Sequence, residues 1–167
     1  CSILSDAIAL RCADYVVTEA GFGSDLGAEK FFNIKCRLSG FKPAVAVVVA
    51  TLRALKLHGG GGTVKVGATL PVGLTGPNQE ALVKGFANLE QHIANVKAHG
   101  VPVVVAVNAF VDDPVAELEW VRKRAREVGA VDAAVSTHWA DGGKGAEELA
   151  KTVVNATETT STFKHLY

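Results

Sequence analysis

Short apolar runs alternate along the chain with segments in which apolar residues recur every three or four positions. The runs at residues 15–18, 45–50, 101–107 and 131–136 predict four β-strands, and the middle two are almost uninterrupted. Uninterrupted apolar strands are typical of parallel sheets that are covered on both faces. The pattern therefore predicts an α/β fold, with a mostly parallel, doubly wound sheet and helices on both faces.

Three amphipathic helices are predicted between and after these strands. The first ends at Gly100 and the second at Gly129, because glycine is common just past a helix C-terminus. Asp113 and Pro114 are expected to cap and begin the second helix, and residues 146–154 predict the third. The apolar stripes consist of Leu82, Phe86, Leu89, Ile93 and Val96 in the first helix and Leu118, Val121, Ala125 and Val128 in the second.

Two stretches are predicted to be irregular. The glycine-rich residues 59–77 are expected to form a long surface loop. Residues 157–162 are rich in threonine and serine, which predicts an exposed tail, and residues 163–167 are expected to pack back onto the protein.

Composition narrows the class of protein further. The chain has 167 residues, of which 49% are hydrophobic, so it is long enough to bury a core as one domain. Its 17 acidic and 17 basic side chains balance, which argues against a nucleic-acid binder. The longest apolar stretch, residues 44–50, is too short to span a membrane. Cys1, Cys12 and Cys36 form no CxxC pair, which fits a reducing compartment.

Three aromatic residues fall just after predicted strands, at the edge where parallel sheets bind ligands. Each alone is most simply a core residue. Together they favour a flat ligand held by stacking, whereas Trp120 lies within a helix and is expected to pack in the core. The three are Phe22, Phe110 and Trp139.

Two glycine-rich segments were compared with phosphate-binding motifs. Gly21, Gly23 and Gly27 differ from the dinucleotide fingerprint because the third glycine comes one residue late, so a tight turn is the simpler interpretation. Gly143 and Lys144 lack the hydroxyl residue and the earlier glycine of a Walker loop. A phosphate-binding nest with Lys144 as a point charge stays open as a hypothesis.

The histidines suggest no metal centre. His92 and His99 are predicted on a helix surface, and His58 and His138 lie near loop mouths, where a functional role is the less favoured interpretation. No HExxH or HxxxH spacing occurs, so no zinc site is expected. The absence of a GxSxG elbow also counts against an α/β-hydrolase.

Long runs of the chain resemble the formate–tetrahydrofolate ligase family in the same order. The likeness covers residues 1–167, and the glycine-rich segment resembles in particular the eukaryotic one-carbon tetrahydrofolate synthases. Two small departures are Ser24 where the family usually has alanine and Leu57 where it usually has methionine. The runs are VTEAGFGSDLGAEKFF at residues 17–32, ATLRALKLHGG at 50–60, AVNAF at 106–110 and HWADGGKG at 138–145.

The resemblance implies an enzyme that joins formate to tetrahydrofolate with ATP and magnesium, through formyl phosphate. It places the pterin ring against the residues matching Phe110 and Trp139, with Phe22 lining the pocket. It also implies that residues 1–167 are the folate-side middle portion of a larger P-loop NTPase-like ligase fold. The Walker loop region and the C-terminal region would lie outside this chain, which alone is expected to be inactive.

The remaining expectations concern contacts and partners. Asn108, Lys144 and Asp25 are candidates for contacts with a nucleotide or another anion, and no catalytic residue is assigned. The expected partners are formate, tetrahydrofolate, ATP, the remainder of the ligase chain and a second copy in a homo-oligomer, with neither nucleic acid nor membrane. The cytoplasm is the expected compartment, and the mitochondrion also fits. The alternative function is a catalytically silent, ligase-like scaffold or binding module, which the missing Walker loop favours and the intact aromatic trio disfavours.

Overall fold

The computed structural model describes residues 2–167, and these contain a three-stranded parallel sheet flanked by helices. The strands β1 (Ala46–Ala50), β2 (Val103–Asn108) and β3 (Asp132–Ser136) lie side by side in that order. The predicted α/β fold is confirmed, and so are three of the four predicted strands. The runs at 45–50 and 101–107 pair directly, as one continuous sheet requires.

Helices precede, connect and follow the strands. Two π-helical stretches, Ser24–Ala28 and Phe31–Cys36, lead into the short α2, and a 3₁₀ segment, Gly142–Ala146, precedes the last helix. The α-helices are α1 (Ile3–Cys12), α2 (Arg37–Ser39), α3 (Leu52–His58), α4 (Val72–Thr75), α5 (Gln79–Ala98), α6 (Val115–Glu127), α7 (His138–Asp141) and α8 (Glu147–Ala156).

The core lies between the sheet and the long helices. Every apolar residue from Val103 to Val107 in β2 is at most 3% exposed, because this strand is central. The predicted stripe of α5 is entirely buried, and Phe86 meets Trp120 of α6 edge-on at 5.4 Å between ring centroids. The packing role predicted for Trp120 is therefore confirmed, as are the helices predicted from periodicity.

The start of α6 differs from the prediction. Pro114 occupies the N-cap position, and no side chain caps the helix. The carboxylate of Asp113 instead accepts a hydrogen bond from the backbone N–H of Phe110 at 2.9 Å. Asp113 therefore stabilises the turn after β2 rather than the helix, because its side chain reaches back to the turn's own free donor.

The strand predicted at residues 15–18 is wrong. This segment has no regular secondary structure, and none of the three strands in the described sheet pairs with it. Tyr15 is 56% exposed and Val17 is 91% exposed. A short apolar run becomes a strand only when a neighbouring strand takes up its backbone hydrogen bonds.

One face of β1 is open. Val48 and Ala50 are buried, whereas Val47 and Val49 on the opposite face are 40% and 65% exposed. Alternate residues of a strand point to opposite faces, so the exposure defines an uncovered apolar strip on the edge strand. An exposed apolar surface of this kind is typical of a face that packs against further protein.

The glycine-rich stretch 59–77 is mostly irregular, as predicted, but it is not wholly a surface loop. It contains α4, and Leu74 of that helix is only 1% exposed. Leu74 therefore anchors the loop to the interior. Polar contacts hold the end of the same loop.

A buried ion pair ties this loop to two helices. Lys56 of α3 is fully buried, and its Nζ lies 2.5 Å from a carboxylate oxygen of Glu117 in α6. The same ammonium donates to the carbonyl of Gly76 at 2.8 Å, and the other Glu117 oxygen accepts from the N–H of Asn78 at 2.6 Å. Asn78 in turn caps α5 by accepting from Ala81 N–H. These contacts fix the end of the loop against the sheet's helices.

The C-terminal residues pack back, as the sequence predicts. The N–H groups of Thr162 and Lys164 donate to the carbonyls of Gly100 and His99, at 2.9 Å and 2.8 Å. Phe163 stacks nearly parallel to His99, with 6.4 Å between ring centroids. His99 is therefore only 4% exposed, and its predicted surface position is wrong, because the tail covers this end of α5.

The two described cysteines should differ sharply in reactivity. Cys12 is exposed, whereas Cys36 is 1% exposed, and burial raises the pKa of its thiol to about 11. A thiol must lose its proton to act as a nucleophile, so Cys36 should resist alkylation at pH 8. Mass spectrometry after brief iodoacetamide treatment should find Cys12 modified first. Equal labelling of both residues in the folded protein would contradict this prediction.

Candidate functional site

The carboxyl edge of the sheet collects the residues that follow the three strands. The Cα atoms of Ala50 and Val107 are partners across β1 and β2, and those of Asn108 and Ser136 are partners across β2 and β3. The N–H of Ala109 donates to the Ser136 carbonyl at 2.9 Å, which extends the pairing by one step. Chain segments after all three strands therefore leave the sheet side by side, where ligands bind in parallel α/β folds.

Phe110 is held firmly at this edge. Its backbone is tied down by Asp113, as described above, and the side chain is half-buried. The guanidinium carbon of Arg53, which follows β1, lies over its ring, 3.9 Å from the centroid. Arg53 was given no role from the sequence. The only signal was its position three residues beyond a strand end, which many helix-surface arginines share.

Asn108 ends β2 with an unused hydrogen-bond acceptor. The residue is half-buried, and its Oδ1 atom is buried without a partner among residues 2–167. Buried amide oxygens are normally paired, so an orphan at a strand terminus is a candidate for ligand contact. The neighbouring Ser136 Oγ is instead occupied by Nδ1 of His138 at 3.0 Å.

Trp139 stands on the turn after β3. It belongs to the short α7, and its side chain is 77% exposed. The turn is closed by Thr137, whose N–H donates to the Gly145 carbonyl at 3.0 Å and whose hydroxyl donates to Asp141 at 2.7 Å. Lys144 is exposed on the 3₁₀ segment of the same turn. The loop is thus ordered by its own contacts and presents an indole to solvent.

Phe22 occupies a strained turn before the first π-helical stretch. It is 87% exposed and has a positive φ of 62°, a conformation that side chains other than glycine adopt at a cost. Lys30 lies 5.3 Å from its ring centroid. Such strain concentrates at functional sites, where the surrounding structure holds it. Gly21 precedes it with a φ of 53°, so two consecutive residues are left-handed.

The loop around Phe22 is attached to the domain in two ways. A Cβ on Gly27 would lie 1.6 Å from the Gly21 carbonyl oxygen, so the backbone of the loop sits directly on the π-helical stretch. Ser24 Oγ lies 2.6 Å from Nδ1 of His92 in α5. His92, predicted to lie on the surface, is therefore half-buried by this contact. Asp25, which follows Ser24 in the chain, is exposed.

The structure brings some of the predicted site residues together and leaves others apart. Phe110 and Trp139 follow adjacent strands and share one edge of the sheet. Phe22 is the third member of the aromatic trio. Within residues 2–167, no two of these three rings are in direct ring contact. Their convergence on one pterin remains a prediction.

A cleft of about 260 Å³ opens beside the first π-helical stretch, away from the three aromatic rings. It is bordered by Asp25, by His99 at the end of α5, and by Leu166 of the tail. No aromatic residue of the trio lines it. A second cleft of about 290 Å³ lies against Gly59, Gly60 and Lys84.

Residues 2–167 contain no group of three or more histidine, cysteine or acidic side chains that could hold a metal ion. In that same part of the chain, no helix combines the length and apolar character needed to cross a bilayer.

Comparison with known proteins identifies the family. The sequence model of formate–tetrahydrofolate ligase matches residues 1–167, the whole chain. This chain belongs to the formate–tetrahydrofolate ligase family. It is 56% identical over 166 residues to the formate–tetrahydrofolate ligase of Desulforamulus reducens and 54% identical over 169 residues to the human cytoplasmic C-1-tetrahydrofolate synthase.

Both alignments include 99% of this chain but only part of the relatives, 29% of the bacterial protein and 18% of the human one. The cytoplasmic C-1-tetrahydrofolate synthase of Drosophila melanogaster is similar to the same extent, with 54% identity and 18% of its length. The chain therefore spans less than a third of the length of these curated relatives.

Proposed function

We propose that this chain is the pterin-binding part of an enzyme that ligates formate to tetrahydrofolate at the expense of ATP, giving 10-formyltetrahydrofolate. The observation that carries the proposal is the position of Phe110 and Trp139 after adjacent strands, in a chain that belongs to this family. A flat pterin suits two aromatic faces at a sheet edge, each worth about 0.5–1.5 kcal/mol beyond its buried area. Phe22 would line the same pocket.

The proposed reaction proceeds in two steps. A carboxylate oxygen of formate attacks the γ-phosphorus of ATP, which releases ADP and forms formyl phosphate. The N10 nitrogen of tetrahydrofolate then attacks the formyl carbon, phosphate leaves, and the nitrogen loses its proton. In this scheme Phe110 and Trp139 hold the pterin ring so that N10, in the linkage to the adjoining p-aminobenzoyl group, faces the formyl carbon. This converts a bimolecular encounter into a positioned reaction.

Only a few residues of this chain are proposed to contact the nucleotide. Asn108, with its unpaired buried oxygen, is proposed to accept a hydrogen bond from the nucleotide or another ligand. Lys144 and Asp25 are exposed and are proposed as secondary contacts. ATP is proposed to act with magnesium, which proteins usually hold through one or two carboxylates, water and the phosphates of the nucleotide. Residues 2–167 contain no group of three or more metal-ligating side chains, so no residue of this chain is assigned to the ion.

We also propose that the chain needs further ligase sequence for activity. No Walker loop occurs in residues 1–167, and the relatives are about three and a half to five and a half times as long, as their coverage of 29% and 18% indicates. The remainder of the ligase would cover the open face of β1 at Val47 and Val49. A homo-oligomer in the cytoplasm is the proposed setting, and the mitochondrion is the other compartment that fits.

Trp139→Ala in the full-length ligase that carries this chain should raise the Michaelis constant for tetrahydrofolate about thirtyfold. Loss of one stacking face and its buried area costs on the order of 2 kcal/mol. The constant for ATP should change less than twofold, because the indole contacts only the pterin in this assignment. Steady-state kinetics with each substrate varied in turn measures both effects.

Two variants control this experiment. Trp139→Phe keeps an aromatic face and should recover most of the affinity for tetrahydrofolate. Tyr15→Ala removes an exposed aromatic residue outside the proposed pocket and should leave both constants unchanged. An unaltered response to tetrahydrofolate in Trp139→Ala would overturn the pterin assignment. A wild-type full-length protein that binds no folate would favour the silent scaffold instead.

A further inference from the structure

Arg53 carries a charge that the described protein does not neutralise. It lies in α3, three residues beyond the end of β1, and is half-buried. No carboxylate among residues 2–167 forms an ion pair with it, although eight ion pairs are formed elsewhere in this part of the chain. Arg122, Arg124 and Arg126 each form such a pair.

The donors of Arg53 are also unused. Its Nε atom is buried and has no hydrogen-bond partner in the described protein. A buried donor left without a partner costs about 1–3 kcal/mol, and more when the group is charged. The guanidinium group offers five N–H donors in a planar fork that matches the oxygens of a carboxylate or a phosphate.

Phe110 holds this guanidinium in place. The 3.9 Å separation between Cζ and the ring centroid is a close cation–π contact, which restrains the side chain without using its N–H groups. Phe110 is itself fixed by the hydrogen bond from its N–H to Asp113. The arginine is thus positioned in advance, and its donors remain available to a ligand.

Asn108 supplies a second unpaired polar atom at the same edge. Its buried Oδ1 follows Val107, and Val107 is the Cα partner of Ala50, the last residue of β1 before the segment that carries Arg53. Two orphaned polar groups, one a donor and one an acceptor, therefore leave adjacent strands at the ligand-binding edge. A bound group with anionic oxygens and a neighbouring N–H or O–H would satisfy both.

We propose that Arg53 binds an anionic oxygen group, a carboxylate or a phosphate, of the ligand that occupies the Phe110 edge. The inference rests on the proposed function, because that function places folate, formate and ATP at this edge. It adds a binding residue that the aromatic trio does not include. The two sources of such oxygens, a phosphate of ATP and a carboxylate of formate or of the folate glutamate, are separated by the choice of probes.

The test uses the full-length ligase that carries this chain and measures binding rather than turnover. Isothermal titration with ATP, with tetrahydrofolate and with tetrahydropteroate as its uncharged amide, which lacks the glutamate and any free carboxylate, gives the dissociation constants for wild type and Arg53→Gln. Direct titration with formate covers the remaining carboxylate. At least one anionic probe should bind tenfold more weakly to Arg53→Gln, the loss expected for a charge-assisted hydrogen bond.

The pattern of losses identifies the source of the anion. A loss for ATP alone assigns Arg53 to phosphate, whereas a loss for tetrahydrofolate but not for tetrahydropteroate assigns it to the glutamate. Arg53→Lys should recover part of the affinity, because lysine restores the charge but not the fork. Arg11→Gln, which removes an exposed arginine on α1, is the matched control and should bind every probe as wild type does.

Two results would overturn the inference while the proposed function stood. One is an Arg53→Gln ligase that binds all probes and formate within twofold of wild type. The other is an equal loss for tetrahydropteroate and tetrahydrofolate that Arg53→Lys does not recover, since this means that only the packing against Phe110 matters. If Arg53→Gln does not fold, the same comparison is made with Arg53→Lys over a range of salt concentrations. A wild-type ligase that binds none of the probes would instead refute the proposed function.

Discussion

Replacing Lys56 with methionine should lower the free energy of unfolding by about 3–5 kcal/mol. Methionine has a similar length, so the volume of the buried site is kept. The carboxylate of Glu117, only 5% exposed, would lose the ammonium that lies 2.5 Å away and stay buried without a counterion. The carbonyl of Gly76 would lose its donor at the same time. The cost arises from the partners left behind rather than from the lysine itself.

Urea denaturation followed by circular dichroism measures this loss. Lys151→Met is a matched control, because Lys151 also pairs with a glutamate, at 2.6 Å, but its side chain is 72% exposed. Exposed ion pairs contribute about 1 kcal/mol at most, so this control should change stability little. In a Glu117→Gln background, Lys56→Met should cost less than it does alone. Equal losses in the Lys56 and Lys151 variants would refute the buried-pair account.

The elements of the fold that follow from local pattern could be predicted from the sequence. The strands β1 and β2 are β-branched apolar runs, β3 has a shorter apolar run of alanine and valine, and α5 carries a complete stripe from Leu82 to Val96. In both cases the spacing of the apolar residues predicts which side chains are buried between the sheet and the helices. The helix ends at Gly100 and Gly129 follow for the same reason, because both residues have the positive φ that glycine tolerates.

The predictions that were wrong share a different cause. The run at residues 15–18 has the composition of a strand, but none of the three strands described in residues 2–167 pairs with it. Composition alone does not show which segments become neighbours. His99 is buried by a tail more than sixty residues away along the chain, through its contact with Lys164. Asp113 bonds backward to Phe110 instead of forward into α6. In each case the structure depends on a contact with a distant or competing partner. The periodicity of apolar residues does not show which partner a residue will contact.

The residues of the candidate site also fall into those that the sequence predicts and those that it does not. The order of a parallel sheet suffices to place Phe110, Asn108 and Trp139 at one edge, so these were predictable. Lys56 was missed because a lysine inside an amphipathic helix is nearly always solvated. Arg53 was missed because the stacking that distinguishes it from a surface arginine depends on a residue after another strand. The aromatic residues were visible in sequence, and the charges that organise their surroundings were not.

Gly27→Ala should destabilise the protein by about 3 kcal/mol and weaken tetrahydrofolate binding by the full-length ligase. The added Cβ would lie 1.6 Å from the carbonyl oxygen of Gly21 and 2.2 Å from that of Ala20, and neither backbone atom can move without the loop. The displaced loop carries Phe22, whose left-handed conformation depends on being held in place. If the proposed pterin pocket includes Phe22, a change remote from the rings should therefore affect it through the backbone.

Unfolding in urea and titration with tetrahydrofolate together test this prediction. Gly143→Ala is the control for stability, because no atom lies within 4 Å of its added Cβ, and it should change the free energy of unfolding by less than about 0.5 kcal/mol. Phe22→Ala should weaken folate binding without the loss of stability, since Phe22 is 87% exposed. If Gly27→Ala loses stability but binds tetrahydrofolate as wild type does, the turn at Gly21 and Phe22 serves the fold alone, and Phe22 does not belong to the pterin pocket.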